Sequence, residues 1–246
     1  MPLNINTNTA AASASYFLSK NNAALQKSLN RLSSGTRITK PADDAGGLAV
    51  SMKLQGTINR LSGVEKNIGN AISYLQVQDG ILESAAKIVD RMGELKALSQ
   101  DVLKNSSDIN NYNSEFATLQ VQLYQMAETT FNGVSLFARY DNSGTAAVFG
   151  STSNTVSIYT SANGEGGSAV QINKTTLLSA LTIKSNTLSV AAWSDSGNSG
   201  TAGSTGTFSF AASVSSTAMT LDKVSVGVFN QALQNLATLR AENGGS

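Results

Sequence analysis

One long stretch of this chain repeats apolar residues at an interval of seven and contains no proline. The repeat has five members, and a second row follows it three positions later. The two rows are Leu61, Ile68, Leu75, Leu82 and Val89, then Val64, Ala71, Gln78, Ala85 and Met92. A seven-residue period keeps a stripe on one side of a slightly supercoiled helix. The sequence therefore predicts one long helix, from about Leu48 to Lys104, that packs against other helices.

A second apolar row lies near the start of the chain. Leu18, Leu25, Leu29 and Leu32 have helical spacing and follow a run of small residues at 10–14. A helix this short is marginal alone in water, so we expect partner helices to order it. The long helix would extend over roughly 85 Å at about 1.5 Å per residue. Both features indicate a chain made for packing and assembly, and not for chemistry in a pocket.

The segment between these helices carries stop and start signals. Gly35 fits the end of the first helix, and Asp43 or Asp44 fits the N-cap of the long one. The long helix also contains glycines at positions 56, 63, 69, 80 and 93, each less favourable there than alanine by about 1 kcal/mol. We expect these glycines to permit close approach of neighbouring helices.

Two more helices follow from the same kind of spacing. Steps of four and three residues lead from Tyr112 to Met126 and predict a helix that returns antiparallel to the long one across a short loop. Near the end, apolar residues from Leu221 to Leu239 resume helical spacing. The fold class expected from the sequence is therefore mainly α, a long antiparallel coiled-coil-like helical bundle with a small β region.

The β region lies between the third helix and the last. Val156, Ile158 and Thr160 alternate with polar residues, and a second alternating run follows an Asn-Gly pair at 163–164, which predicts a β-hairpin. Residues 188–190 and 208–210 are expected to form a second pair of strands. A glycine-spaced loop at 194–206 separates them and should tolerate deletion or insertion, because nothing apolar anchors it.

The composition removes most catalytic and metal chemistry. The chain has no cysteine and no histidine, which excludes thiolate nucleophiles, imidazole bases, disulfides and most zinc or copper sites. A carboxylate enzyme is the alternative from another functional class. Its candidate catalytic residues are Asp43, Asp44, Glu83 and Glu94. The pattern places all four on helix ends or helix faces. We predict no catalytic residue, no cofactor and no metal.

The charges argue against nucleic-acid and membrane partners. Seventeen basic residues are interspersed with sixteen acidic ones, which leaves a net charge of +1. The sequence contains no apolar run of about eighteen residues, the length that a membrane-spanning helix needs. We therefore predict no nucleic-acid binding and no membrane insertion.

Several motifs, taken in order, resemble bacterial flagellin. They are LNRLSSGTRITKPADDAGGLAVSMKLQGTINRL at 29–61, FNGVSLF at 131–137 and ALQNLATLRAENGG at 232–245. The resemblance implies a self-assembling structural subunit of the flagellar filament that is exported by the flagellar type III route and serves motility outside the cell. The partners it implies are other copies of the chain, the export machinery, a chaperone and the filament cap.

The resemblance also implies a division of the chain. Residues 1–42 would form an inner-tube helix and connector, and 43–183 a helical shell domain with a β-hairpin. Residues 184–220 would form a short, variable, solvent-facing insert, and 221–246 the start of a C-terminal shell helix. The assembly residues would be the two leucine-rich rows, Leu18, Leu25, Leu29, Leu32, Leu61, Ile68, Leu75, Leu82 and Val89. Because the family continues with a further C-terminal helix, we expect this sequence to be truncated.

Two other roles are compatible with the resemblance. One is a hook–filament junction protein, or a cell-surface flagellin relative that binds a ligand. The other is recognition by a Toll-like receptor, because VDRMGELKAL at 89–98 resembles the shell-helix segment which that receptor contacts in recognised flagellins. Arg91, Glu94 and Leu95 match that segment and are the candidate receptor contacts, whereas Gly93 stands where an arginine is common.

Overall fold

The computed structural model of the chain describes residues 8–140, 147–150, 154–184, 187–190, 207–208 and 219–245. Within these ranges the chain forms five α-helices: α1 (Thr9–Ser34), α2 (Ala45–Ser99), α3 (Ser106–Ala127), α4 (Leu177–Leu181) and α5 (Val226–Gly244). Three antiparallel strand pairs accompany them: β1 (Thr130–Phe131) with β2 (Val134–Ser135), β3 (Thr155–Tyr159) with β4 (Ala169–Asn173), and β5 (Ile183–Lys184) with β6 (Thr207–Phe208). The expected fold class, mainly α with a small β region, is confirmed.

The chain divides into two compact units, Met1–Ser62 and Gly63–Ser246, and the boundary falls inside α2. In the first unit, the Asn8 side chain accepts hydrogen bonds from the Ala10 and Ala11 amides and so caps the start of α1. Gly35 ends α1 in the left-handed conformation, at φ 65°, which glycine adopts without steric cost. The predicted stop at Gly35 is confirmed.

Asp44 begins α2. Its carboxylate accepts from the Gly47 amide at 2.8 Å, and its carbonyl accepts from the Leu48 amide at 3.1 Å, which are the two bonds of an N-cap residue. Of the two carboxylates offered by the sequence, Asp44 is therefore the cap. The helix ends at Ser99, five residues before the predicted Lys104.

In the second unit, α3 and α5 both run antiparallel to α2. Arg91 of α2 contacts Glu115 in the first half of α3, whereas Tyr74 contacts Phe131, just after α3 ends. The same reversal relates α2 to α5, since Arg240 binds Asp79 and an added Cβ on Gly93 would lie 3.6 Å from the Cβ of Phe229. The predicted antiparallel return of α3 is confirmed.

The core of the second unit lies where these three helices meet α4. Phe116 of α3 and Phe229 of α5 stack edge to face, with ring centroids 6.1 Å apart. All five residues of α4 are buried, and the Asn235 amide of α5 donates to the Ala180 carbonyl at 2.7 Å. The sequence did not indicate α4, because five residues are too few to show a helical period.

The hairpin predicted around Asn163 and Gly164 is confirmed. Strand β3 pairs with β4 so that Val156 faces Ile172 and Ile158 faces Val170. Gly164 lies in the turn with φ 59°, the left-handed region that favours glycine.

The second predicted strand pair is wrong in its partner. Residue Phe208 pairs with Ile183 and not with residues 188–190. Leu188 has a positive φ of 52°, which breaks an extended strand, and Val190 makes one isolated bridge with Ile183. The loop expected at 194–206 and the strand residues 209–210 lie outside the described residues.

The last helix begins later than its apolar row. Leu221 starts a short 3₁₀ turn, and α5 begins only at Val226. Both Leu221 and Val224 are nevertheless buried. A short turn followed by a helix can bury residues at the same spacing as one longer helix. The sequence pattern does not distinguish the two.

Candidate assembly surfaces

The leucine row of α1 is exposed along its whole length. Exposed fractions lie between 54% for Leu29 and 81% for Leu32, and none of the 26 residues of α1 is buried. At 100° per residue, Leu18, Leu25, Leu29 and Leu32 share one face, and Lys20, Lys27 and Arg31 lie on the opposite face. A continuous exposed apolar stripe of this kind marks an interaction surface.

The segment between α1 and α2, residues 35–44, forms ion pairs with the basic face of α1. The Asp43 carboxylate lies 2.5 Å from the Lys27 ammonium and 3.8 Å from the Arg31 guanidinium. It also accepts a hydrogen bond from the Thr39 hydroxyl. Lys27 above all, by hydrogen bond and by charge, lowers the pKa of Asp43 below its ordinary 3.8. Asp43 therefore links the segment at 35–44 to the face of α1 that lies opposite the leucine row.

This ion pair should weaken at low pH. Because the carboxyl pKa is lower in the folded chain than in the unfolded one, its contribution is present above 3.8 and is lost as the pH falls through the lowered folded value. We expect ¹³C NMR to show Asp43 titrating below 3.8, and the double variant Lys27→Met, Arg31→Met to bring its midpoint back toward 3.8. Equal midpoints in the two proteins would contradict the pairing.

The heptad stripe of α2 is buried only in its second half. Leu61 and Ile68 are 48% and 36% exposed, and Leu75 is half-buried, whereas Leu82 and Val89 are fully buried. In the second row, burial is continuous from Ala71 to Met92. From Ala71 onward the stripe is thus covered by the chain's own helices. The described chain leaves its earlier members at the surface.

Two polar residues in the buried stripe bind backbone carbonyls. The Gln78 amide donates to the Leu136 carbonyl and to the Thr175 hydroxyl, both at 2.9 Å. The Lys96 ammonium donates to the Leu221 carbonyl at 2.6 Å. Burial lowers the pKa of Lys96, and the Asp222 carboxylate opposes part of this shift. These contacts attach the loop after α3 and the segment before α5 to α2.

Of the glycines in α2, only Gly93 lies close to another helix of the described chain. Its approach to Phe229 leaves ordinary van der Waals space for a methyl group. An added Cβ would meet nothing within 4 Å at positions 56, 63, 69 and 80. Among the described residues, therefore, those four glycines do not serve close helix approach.

The candidate receptor residues differ in accessibility. Arg91 is exposed and binds two carboxylates, Glu94 at 2.9 Å and Glu115 at 2.8 Å. Leu95 is fully buried in the core. A partner that met this face of α2 in the described arrangement would contact Arg91 and Glu94, and not the Leu95 side chain.

The four carboxylates considered for catalysis each have a structural partner. Asp44 caps α2 and Asp43 binds α1. Glu83 pairs with Lys87, and Glu94 pairs with Arg91. Among the described residues no three acidic side chains lie close enough to hold a metal ion. None of the described helices combines the length and the apolar character that spanning a lipid bilayer requires.

Two apolar surface features of the second unit were not predicted. The apolar tip is formed by Leu98, Val102 and Leu103, where α2 ends and its loop to α3 begins. The hairpin groove is a depression of about 460 Å³ between α2 and the strand pairs β1–β2 and β3–β4. Its lining is Asn67, Asn70, Ala71, Tyr74, Phe131, Asn132, Val134, Val156, Ser157, Ile158, Tyr159 and Ile172. A sequence signal existed only for the tip, where two aliphatic residues interrupt a polar loop.

Comparison with known proteins places these surfaces in a family context. The family model described as the bacterial flagellin N-terminal helical region matches residues 5–142. Flagellin A of Vibrio cholerae is 34% identical over 163 residues, which are 62% of this chain and 43% of that protein. Flagellin of Bacillus subtilis is 36% identical over 137 residues, 54% of this chain and 45% of that protein.

Two further matches extend the comparison. The flagellar filament 33 kDa core protein of Treponema phagedenis is 33% identical over 133 residues, 54% of this chain and 46% of that protein. The crystal structure of Bacillus cereus flagellin matches with a TM-score of 0.48 at 19% identity and covers 74% of this chain and 82% of that one. The chain spans less than half the length of these three curated relatives.

Proposed function

The chain belongs to the bacterial flagellin family, and from that premise we propose that it is a structural subunit of the flagellar filament. The observation that carries the proposal is the leucine row of α1, which is exposed over the whole helix. Burying that row requires a partner, and in a homopolymer the partner is another copy. The proposed role is structural and involves no catalytic site.

The exposed part of α2 supports the same proposal. Leu54, Ile58 and Leu61 are about half exposed, and Ile68 continues their side of the helix. Exposed apolar area on two successive helices would make a monomeric protein prone to non-specific aggregation. In a filament the same area contributes to subunit packing at roughly 25 cal/mol per Å² buried.

Assembly is the direct test. We expect the full-length native protein to form long, regular filaments when salted out with ammonium sulfate, since salts excluded from protein surfaces strengthen apolar burial. Negative-stain electron microscopy and light scattering would measure filament order and yield. Amorphous precipitate at every salt and protein concentration would contradict the proposal.

The same proposal includes the transient binding partners of the subunit and its location. We place the subunit outside the cell in the flagellar filament, after export through the flagellar type III route. The export machinery, a chaperone and the filament cap are the expected transient partners. The absence of cysteine is compatible with this location, because no thiol would be exposed to oxidation outside the cell.

Receptor recognition is a separate proposal on the second unit. Arg91, Glu94 and Glu115 form an exposed charged cluster on neighbouring helices, and such a cluster can supply charge-assisted hydrogen bonds to a receptor. A Toll-like receptor would then bind through this cluster. The role of Leu95 would be to position the helix from within the core.

A further inference from the structure

Asp43 is the first acidic residue of the chain. None of the 42 residues before it is aspartate or glutamate, so Lys27 and Arg31 have no carboxylate on their own helix. Both reach Asp43, at 2.5 and 3.8 Å. The Asp43 side chain is only 13% exposed, whereas the neighbouring Asp44 binds the Gly47 amide. One carboxylate thus receives two of the cations on the basic face of α1.

The Asp43 carboxylate is held in place by its own segment. The Asp43 amide donates to the Lys40 carbonyl at 3.0 Å and closes a four-residue turn. Pro41 occupies the second position of this turn, the position that proline favours. The Thr39 hydroxyl donates to the carboxylate at 3.3 Å. The position of Asp43 is therefore set independently of α1, directly before Asp44, which caps α2.

Residue Ile38 packs the same segment onto the first turn of α2. A Cβ built on Gly47 would lie 3.1 Å from the Cδ1 atom of Ile38, which is tighter than ordinary van der Waals contact. Glycine at this position therefore lets Ile38 lie against the helix. The segment at 35–44 and the start of α2 are packed together in this way, and α1 joins them at Gly35.

The joint at Gly35 does not by itself fix the rotation of α1. Apart from the hydrogen bonds between Ser34 and Thr36 at the joint, the ion pairs of Asp43 are the only polar contacts between α1 and residues 36–62, all of which the structure describes. Lys27 and Arg31 lie one turn apart, about 40° around the helix. A carboxylate that binds both selects one face of α1, and the leucine row then faces the other way.

We propose that Asp43 is a positioning residue for assembly, because by binding Lys27 and Arg31 it sets the rotation of α1 and turns the leucine row toward a second copy. The proposal rests on the filament function and identifies one residue that prepares its assembly surface. The leucines would be buried in the contact between copies. Asp43 acts through the orientation of the helix that carries them.

The first test removes the negative charge with Asp43→Asn in the full-length native protein. The readout is the critical concentration for elongation of filament seeds at about 0.15 M NaCl, where screening acts over about 8 Å and leaves charges in direct contact paired. Loss of a partly exposed ion pair from every subunit should raise this concentration about three- to fivefold. Asp44→Asn is the matched control. It removes the same charge one residue later, and its side chain can still cap α2, so it should elongate normally.

Charge reversal tests the ion pair itself. Asp43→Lys and, separately, Lys27→Glu with Arg31→Glu each place like charges together and should raise the critical concentration at least as much as Asp43→Asn. Combining the three substitutions restores opposite charges and should bring the critical concentration back to within about twofold of the unchanged protein. A residue that only stabilised the local fold would show no such rescue.

Spin labels measure the orientation of α1 directly. Ala23→Cys and Gln55→Cys place one label on α1 and one on α2 at exposed positions, and the chain has no other cysteine. Labelled copies are diluted into filaments with an excess of unlabelled protein, so that the measured distance lies within one copy. We expect a narrow distance distribution for the otherwise unchanged chain and for Asp44→Asn, and a broad or shifted one for Asp43→Asn.

The outcomes separate the role of Asp43 from the filament function. Equal elongation of Asp43→Asn and the unchanged protein would overturn the positioning role and leave the function standing. The role would also be overturned by equal losses in Asp43→Asn and Asp44→Asn, by a triple reversal that does not recover elongation, or by an unchanged label distance in Asp43→Asn filaments. Absence of filaments from the unchanged full-length protein under every condition would contradict both proposals.

Discussion

Replacing Leu82 by aspartate is expected to unfold most of the second unit. Leu82 is fully buried in the middle of the α2 stripe, within the core that α2, α3, α4 and α5 share. Loss of its apolar packing alone costs about 2–5 kcal/mol. The new carboxylate would lack a partner there and would add the cost of burying a charge or of protonating it. Because a domain of this kind has about 5–15 kcal/mol of stability, we expect thermal unfolding to begin far below that of the unchanged protein.

The matched control is Leu61→Asp, which makes the same change at the same heptad position. Leu61 is about half exposed, so its aspartate stays hydrated and should lower the melting temperature of the isolated chain only slightly. Circular dichroism melting of the two variants measures the difference. Similar melting temperatures would mean that the stripe is not buried at Leu82.

Replacing Leu25 and Leu29 together by aspartate is expected to abolish filament assembly and leave the monomer intact. Both side chains lie in the middle of the exposed α1 row. Two carboxylates there would have to lose water for the row to become buried between copies, which costs several kcal/mol per subunit. Sedimentation and electron microscopy under salting-out conditions should find the variant soluble at concentrations that polymerise the unchanged protein.

Ala23→Asp controls for the added charge. Ala23 lies two residues before Leu25, about 160° around the helix, and it is exposed. It also stands four residues before Lys27, a favourable spacing for an acid–base pair on a helix. This variant should assemble normally. Assembly of the Leu25, Leu29 variant at the unchanged concentration would show that the row is not an interface.

The sequence predicted the helices well because their signals are periodic and local. The seven-residue rows of α2 fixed its type and its buried side, and Gly35 and Asp44 fixed the neighbouring ends within a few residues. The seven-residue period does not show which part of the α2 stripe is buried by other helices of the same chain. Leu61 and Leu82 occupy equivalent positions in the pattern, but Leu82 lies in the core that α3, α4 and α5 share, whereas Leu61 is exposed.

Elements that depend on distant partners were predicted less well. Strand β5 pairs with β6 across more than twenty residues, and two-residue strands carry no readable alternation. Helix α4 is held by burial on all sides and not by its own pattern. Gln78 is the polar member of the second row, and Lys96 follows Val89 at the same seven-residue interval, but the carbonyls they bind come from segments that no local rule assigns.

The hydrogen bonds that connect α5 to α2 also set the time at which this fold can be completed. Arg240 reaches Asp79 across 161 positions, and Asn243 reaches the Leu75 carbonyl across 168. Contacts so distant in sequence form slowly because a long loop must close first. Ribosomes release the N-terminal part of a chain first, so α2 cannot pack against α5 until Val226–Gly244 has emerged. The core that α2, α3 and α4 share with α5 therefore stays incomplete until α5 has formed, and the chain before it lacks this packing until then.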